Sequence, residues 1–119
     1  MHVQIVNFHL EGINEQGYRR LTESVASAFA DLPGLVRKTW LADQETNTYG
    51  GVYVWRDRQA MEAYKKTDLF KGMLANLYFD DVTVRDFAAL ENPTRVTSGP
   101  PNEAVVSQAS KPERSKEMS

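Results

Sequence analysis

The chain has 119 residues, of which 41% are hydrophobic and 25% are charged, the proportions of one globular domain. Its formal net charge of −2 argues against a surface that neutralises many phosphates, so we expect no nucleic-acid partner. The absence of cysteine excludes disulfides, thiolate nucleophiles and cysteine-ligated metals. No apolar run reaches the roughly 20 residues of a membrane span, and the N-terminus lacks the pattern of a signal peptide. We therefore expect a soluble, cytoplasmic protein that does not bind a membrane.

The first third of the chain predicts a strand followed by a helix. Residues 3–10 alternate between two faces, which is the periodicity of a strand. After Asn14, a residue typical of helix N-caps, apolar side chains recur every three or four positions and predict an amphipathic helix. Pro33 and Gly34 end that helix. His2 precedes the strand, and we expect it to be inert at a frayed N-terminus.

The middle of the chain predicts two strands, a helical region and a last strand. Strands at residues 35–42 and 49–55 are separated by a short polar stretch that suits a hairpin. Asp57 is placed to cap the next helix, Asp68 to restart a helical turn, and residues 79–88 form the final strand. The order βαββαβ is that of an α+β, ferredoxin-like subunit with a four-stranded antiparallel sheet and helices on one face.

The composition changes near residue 90. Residues 91–119 contain no Leu, Ile, Phe, Tyr or Trp, and they hold four of the five prolines. Such a segment buries too little apolar surface to offset its ordering entropy. We therefore predict a core domain over residues 1–90 and a flexible Pro/Ser-rich tail over 91–119. The alternative is that its valines dock on a partner subunit.

We call the sheet face that is turned away from the helices the outer face. With Gln4, Val6, Phe8 and Leu10 directed toward the helices, the strand alternation predicts a set of large apolar residues on the outer face: Val3, Ile5, Val36, Trp40, Tyr53, Trp55 and Phe87. A soluble monomer rarely exposes so large an apolar patch. The sequence therefore predicts a homodimer that covers the outer face. Polar residues interspersed on it would line an enclosed cavity: Asn7, His9, Lys38 and Arg85.

Three blocks of sequence resemble the YdhR-type monooxygenases: NFHLEG at 7–12, PGLVRKTWLADQETNTYGGVYVWRD at 33–57 and TVRDFAALENP at 83–93. The resemblance covers about residues 3–95, and its most telling part is Lys38 and Trp40 followed by Gly50, Gly51 and Tyr53. The group belongs to the dimeric α+β barrel superfamily, together with antibiotic-biosynthesis monooxygenases. The resemblance implies an obligate homodimer with a pocket between sheet and helices or inside the barrel.

The function that we expect is that of an oxidoreductase, a cofactor-independent monooxygenase. It would act on a small hydrophobic, aromatic or enolisable substrate, held in anionic form, with molecular oxygen as the second reactant. We expect no metal, because the chain has two histidines and no ligand spacing such as HExxH. Haem-degrading relatives place an axial histidine on the second helix, and residues 58–78 contain none. An isomerase or dehydratase, or a non-catalytic dimer that binds a small molecule, would need the same pocket.

Three polar residues are candidate catalytic groups: Asn7, His9 and Arg85. The Asn7 amide can donate to a developing oxyanion, or it can make a hydrogen bond across a sheet or dimer seam. His9 can act as a general base near neutral pH, or it can be a structural histidine near a strand end. Arg85 can stabilise an oxyanion, or it can form an internal salt bridge to an acid such as Asp86 or Glu11.

The candidate substrate-binding residues are one lysine and four aromatic residues: Lys38, Trp40, Tyr53, Trp55 and Phe87. Lys38 on an otherwise apolar face needs an anion, supplied either by a salt bridge or by a bound ligand. The rings can form the walls for a planar substrate, with Tyr53 supplying a hydroxyl, or they can simply fill the barrel. Gly50 and Gly51 indicate a bulge or a close backbone approach.

Overall fold

The structure is a computed structural model that describes residues 1–99. The chain divides into two units, Met1–Ala89 and Leu90–Ser119, and the second is described only as far as Gly99. The first unit contains the elements β1 (His2–Leu10), α1 (Glu15–Ala30), β2 (Leu35–Asp43), β3 (Thr48–Trp55), α2 (Arg58–Lys65), α3 (Asp68–Ala75) and β4 (Phe79–Ala88). No helix among the described residues is long and apolar enough to cross a membrane.

The four strands form one antiparallel sheet in the order β2-β3-β1-β4. This is the predicted ferredoxin-like α+β arrangement, in which the two central strands, β1 and β3, come from different βαβ halves. The second helical region consists of two short helices, α2 and α3. The antiparallel pairing of β1 with β4 places His2 opposite Ala88, so the two ends of the first unit lie side by side.

In α1, α2 and α3 the side chain of the residue just before the helix accepts a hydrogen bond from one of the free backbone N–H groups of the first turn. The Asn14 side chain accepts from Gly17 N and the Asp57 side chain accepts from Ala60 N, which confirms both predicted N-caps. Helix α3 begins at Asp68, which confirms the predicted restart of the helix at this residue, and its N-cap is Thr67, whose hydroxyl accepts from Phe70 N.

The hydrophobic core lies between the sheet and the helices. Strand β1 alternates strictly, with Gln4, Val6, Phe8 and Leu10 buried, which confirms the predicted orientation of this strand. Large side chains of the helices pack against them: Tyr18 and Phe29 from α1, Met61 and Tyr64 from α2, and Phe70 from α3.

The predicted orientation of β3 is wrong. Tyr53 and Trp55 are 3% and 0% exposed, and both rings contact Tyr64 of α2. They therefore face the helices rather than the outer face. The register explains this, because Tyr53 lies opposite Gln4, and cross-strand partners in an antiparallel sheet point to the same side.

The predicted orientation of Lys38 and Trp40 on β2 is also wrong, because a bulge interrupts the alternation of this strand. The pairing with β3 shifts between Leu35 and Arg37, and Val36 is the extra residue. A bulge of one residue reverses the side to which all later side chains point. Lys38 then lies opposite Tyr53, and both Lys38 and Trp40 face the helices.

The outer face consequently carries aliphatic rather than aromatic residues at its centre. Val3 lies between Val54 and Phe87, and Ile5 lies between Val52 and Arg85. Seven apolar residues were predicted for this face. Three of them lie at regular, paired strand positions on it: Val3, Ile5 and Phe87.

The start of the segment predicted to be a flexible tail is helical. Residues Glu91–Ser98 form helix α4, in which Thr94 N donates to Leu90 O, and the flexibility of the tail stays a prediction. Val96 on this helix is 83% exposed. The other two tail valines, at 105 and 106, lie outside the described residues.

His2 is buried and contacts Asp86, although the sequence predicts a frayed N-terminus. His2 is 7% exposed, and its Nε2 lies 2.5 Å from Asp86 Oδ2 on the neighbouring strand β4. The expectation of a frayed end is wrong, because His2 pairs with a carboxylate within the sheet, and the expectation that His2 is inert stays a prediction.

Candidate active site

A cavity of about 230 Å³ lies between the sheet and helices α1 and α3. All four strands contribute to its floor, with Val6, Phe8, Trp40, Tyr53 and Phe79 as the larger apolar residues. Its roof consists of Leu21, Val25 and Phe29 from α1, and Leu69 and Met73 from α3. A cavity that is largely apolar and partly enclosed is suited to a small hydrophobic ligand.

Three aromatic rings form one wall of this cavity. The Phe29 ring packs edge-on against Trp40, with the centroids 5.3 Å apart, and its centroid lies 6.1 Å from that of Tyr53. The three rings come from α1, β2 and β3, so the wall exists only when the helix is docked on the sheet. We call this group the aromatic wall.

The Lys38 amine lies against the aromatic wall. Its Nζ is 3.3 Å from the centroid of Phe29, 3.4 Å from that of Trp40 and 4.6 Å from that of Tyr53. Lys38 forms no ion pair with any carboxylate among residues 1–99. Burial away from water lowers the pKa of Lys38 from 10.5 to about 7. The amine therefore exchanges its proton near neutral pH.

The two glycines of β3 allow close packing that a side chain at either position would prevent. A Cβ on Gly51 would lie 3.0 Å from Lys38 Cε, so a larger residue would press on the lysine side chain. At Gly50 the backbone has a φ of +143°, and a Cβ would lie 1.9 Å from Val6 O. This close backbone approach is the kind of role predicted for the two glycines.

The tyrosines next to the cavity are neutral donors or acceptors rather than anions. The hydroxyls of Tyr53 and Tyr64 lie 3.3 Å apart in a buried position. Burial raises the pKa of both tyrosines, and it raises the pKa of Tyr18 to about 12. No phenolate is therefore available near neutral pH to pair with Lys38.

Three further polar residues line the cavity, and sequence reasoning missed them as site residues: Thr22, Asp68 and Asn76. Asp68 is exposed in the first turn of α3 and Asn76 follows the last turn. In the sequence Asp68 and Asn76 are indistinguishable from residues that begin or end a helix, and Thr22 is indistinguishable from any polar residue within one, so no pattern marked them. The described residues contain no cluster of three or more His, Asp or Glu that would hold a metal ion.

The five predicted substrate-binding residues are not all brought together. Lys38, Trp40 and Tyr53 line the cavity. Trp55 is stacked on Tyr53 but lies outside the cavity, fully buried, and its Nε1 donates to Gln4 Oε1 at 3.1 Å. Phe87 is on the outer face and 45% exposed. The roles of these residues stay predictions.

The three predicted catalytic residues lie on the outer face, apart from the cavity. Asn7 is opposite Gly50 and Thr83, and Arg85 lies with its guanidinium carbon 5.2 Å from the Phe87 ring. The His9 Nδ1 lies 2.7 Å from Asn47 O, and its imidazole is partly exposed. Within one subunit these side chains cannot share a substrate with Lys38, and their catalytic role also stays a prediction.

Solved structures with this fold define the class to which the protein belongs. SnoaB from Streptomyces nogalater, a cofactor-independent oxygenase solved as a point mutant, is 26% identical, with a TM-score of 0.60 over 76% of this chain and 95% of that one. An antibiotic biosynthesis monooxygenase homologue from Deinococcus radiodurans has a TM-score of 0.64 at 16% identity, over 76% and 94%. MhuD, solved as a point mutant with two manganese protoporphyrin IX molecules per active site, has a TM-score of 0.63 at 16% identity, over 77% and 97%. The chain therefore has the fold of the antibiotic biosynthesis monooxygenases.

The family within this class follows from the sequence. The family model described as "Putative mono-oxygenase ydhR" matches residues 3–100, and the chain belongs to that family. A search of curated proteins gave no match.

Proposed function

We propose that the protein is a cofactor-independent monooxygenase that acts on a small aromatic or enolisable substrate in the cavity between the sheet and helices α1 and α3. The proposal rests on the position of the Lys38 amine, which lies against the aromatic wall of a largely apolar cavity. Membership in the ydhR family and the likeness to SnoaB support oxygenase chemistry.

The proposed reaction needs no external reductant. Loss of a proton converts the substrate to an electron-rich anion, which reacts directly with O₂. One oxygen atom enters the substrate as a carbonyl, and the other leaves as water with the two hydrogens that the substrate gives up. An apolar cavity favours this course because it excludes water from the anion and from the peroxide that forms first. A cationic amine stabilises the negative charge as it develops.

The proposal includes a homodimer. The outer face carries Val3, Ile5, Val52, Val54 and Phe87 at neighbouring positions of three strands. Burial of apolar surface yields about 25 cal/mol per Å², so a second copy of this face is a favourable cover. Asn7, His9 and Arg85 lie on the same face, and in the dimer their polar groups would lie at or beside the seam.

Oxygen consumption by the purified protein tests the proposed reaction. A panel of phenols, quinols and other enolisable compounds would be incubated with the protein in ¹⁸O₂ while O₂ is recorded. We expect uptake of one O₂ per product, with one labelled oxygen in the product and the other in water. Product formation that persists without O₂ would indicate an isomerase or dehydratase instead. A ligand that stabilises the protein and is recovered unchanged from every incubation would indicate a binding protein.

A further inference from the structure

We infer that Lys38 is the general base that takes the proton from the hydroxyl of a planar phenol or enol, and that the resulting ammonium then binds the oxyanion. This inference rests on the proposed function and deepens it, because it names the base and the substrate class. Lys38 is the only cationic side chain among the described residues that line the cavity. The base that the sequence suggested, His9, lies on the other side of the sheet.

The surroundings of Lys38 suit both protonation states of its amine. Burial away from water favours the neutral amine, which is why the pKa of Lys38 falls to about 7. Three ring faces lie within cation–π distance of Nζ, and these contacts stabilise the ammonium once it forms. The amine can thus accept a proton from a ligand and hold it without a carboxylate partner.

The other titratable groups around Lys38 do not compete for this role. From α1 the cavity is faced by Tyr18, from β3 by Tyr53 and from α3 by Asp68, while Tyr64 of α2 contacts Tyr53. The raised pKa values of the three tyrosines keep their hydroxyls protonated. Asp68 is exposed and makes no ion pair with Lys38.

The proton transfer is balanced within the cavity. The substrate O–H bond breaks, an N–H bond forms on Lys38 Nζ, and no electrons leave either partner. A phenol has a pKa of about 10 in water, well above that of the buried amine. The attraction between ammonium and phenolate in a site that excludes water offsets this difference. Because Nζ lies 3.3, 3.4 and 4.6 Å from the centroids of Phe29, Trp40 and Tyr53, a planar ring that packs beside the aromatic wall can bring its hydroxyl next to the amine.

The absorption spectrum of a bound nitrophenol tests the inference directly, because the phenolate absorbs at longer wavelength than the phenol. The nitrophenol would be titrated with pH in the presence of saturating protein, under nitrogen. We expect the wild-type protein to lower the apparent pKa of the bound probe by at least one unit. Lys38→Met should remove this shift, and Lys66→Met, which changes an exposed lysine on the surface, should keep it.

If Lys38→Met fails to fold, the affinities of the wild-type protein for two ligands, nitrophenol and nitroanisole, still test the inference. Nitroanisole has the same ring but no proton to give, so the wild-type protein should bind it at least tenfold more weakly than nitrophenol. Equal affinities, or a bound nitrophenol with the spectrum of the neutral phenol, would overturn the inference.

Oxygen uptake separates this inference from the proposed function. Undiminished O₂ consumption in Lys38→Met would overturn the role of Lys38 and leave the monooxygenase proposal in place. Phenolate formation in the cavity without O₂ uptake for any compound of the panel would overturn the proposed function, while Lys38 would remain a base that binds phenols.

Discussion

The Nζ of Lys38 lies 3.4 Å from the ring centroid of Trp40, a residue two positions further along the same strand. Residues two apart on a strand share a face, so the pair is brought together by local geometry alone. The ring of Phe29, on helix α1, packs on the same nitrogen from the helix side, with its centroid 3.3 Å from Nζ. The arrangement places a titratable amine in an apolar cavity and surrounds it with groups that favour its charged form.

The stability of Lys38→Met should differ from that of the wild type in a way that depends on pH. The folded pKa of about 7 lies below the value of 10.5 for an unburied lysine, so the folded chain binds fewer protons than the unfolded chain between these values. The free energy of unfolding of the wild type therefore rises with pH across this window because of this group. At about pH 6 the variant should be the more stable by about 2 kcal/mol, after allowance for the lost ring contacts.

Urea unfolding at several pH values measures this difference. We expect the advantage of Lys38→Met to shrink as the pH rises from about 7 toward 10, because the wild-type amine is then neutral when folded. Lys66→Met serves as the control, since it removes a lysine from the exposed surface. An advantage that stays constant over the whole range would contradict a lowered pKa for Lys38.

Much of the fold could be predicted from the sequence because its signals are local. The alternation in β1 and the Asn14 and Asp57 caps depend on neighbouring residues only, and the structure confirms them. The eight residues of α4 were not predicted, because Pro93 and the lack of large apolar side chains favour an irregular segment. Proline is nevertheless tolerated in the first turn of a helix, where it interrupts no hydrogen bond.

The candidate site was harder to predict because it depends on strand register. A bulge at Val36 decides which side Lys38 and Trp40 face, and nothing in the sequence around Val36 marks the extra residue. The alternation in β3 shows that Tyr53 and Trp55 share one face of the strand, but it does not show whether that face is toward the helices. The pairing with β1 decides this, because Tyr53 lies opposite the buried Gln4. The sequence therefore predicted the strands but not the side of the sheet to which these four side chains point.

A larger side chain at Gly72 of α3 should weaken ligand binding without disturbing Lys38. Gly72 lines the cavity, and a Cβ built on it has no atom within 4 Å. Gly72→Leu is expected to occupy the space of a substrate ring, so nitrophenol affinity and any O₂ uptake should fall at least tenfold. Gly72→Ala is the matched control, since it adds only a methyl group and should stabilise the helix by about 1 kcal/mol. Calorimetric titration of both variants checks this, and equal affinities would place the ligand elsewhere.

A charge at the centre of the outer face should dissociate the proposed dimer. Val54 lies opposite Val3 on β1 and Arg37 on β2, so Val54→Lys puts a second cation beside an existing one in an apolar seam. We expect the wild type to sediment as a dimer at micromolar concentration and Val54→Lys to sediment as a monomer with a lowered melting temperature. Ser24→Lys on the exposed side of α1 is the control and should remain dimeric. A monomeric wild type would refute the dimer.

The contact between His2 and Asp86 should make the stability of the fold sensitive to acid. The hydrogen bond from His2 lowers the pKa of Asp86 below its ordinary value of 3.8, so the folded chain holds this carboxylate ionised where the unfolded chain protonates it. A lowered folded pKa contributes stability that is present above about pH 4 and is lost as the pH falls through the folded pKa. Asp86→Asn should therefore be less stable than the wild type at neutral pH, and the gap should close on acidification. Thermal unfolding of Asp86→Asn between about pH 2 and 7 measures this, with Asp80→Asn, an exposed aspartate of the same strand, as the control. A gap that persists unchanged at the acid end would show that the Asp86 carboxylate does not stabilise the sheet through its charge.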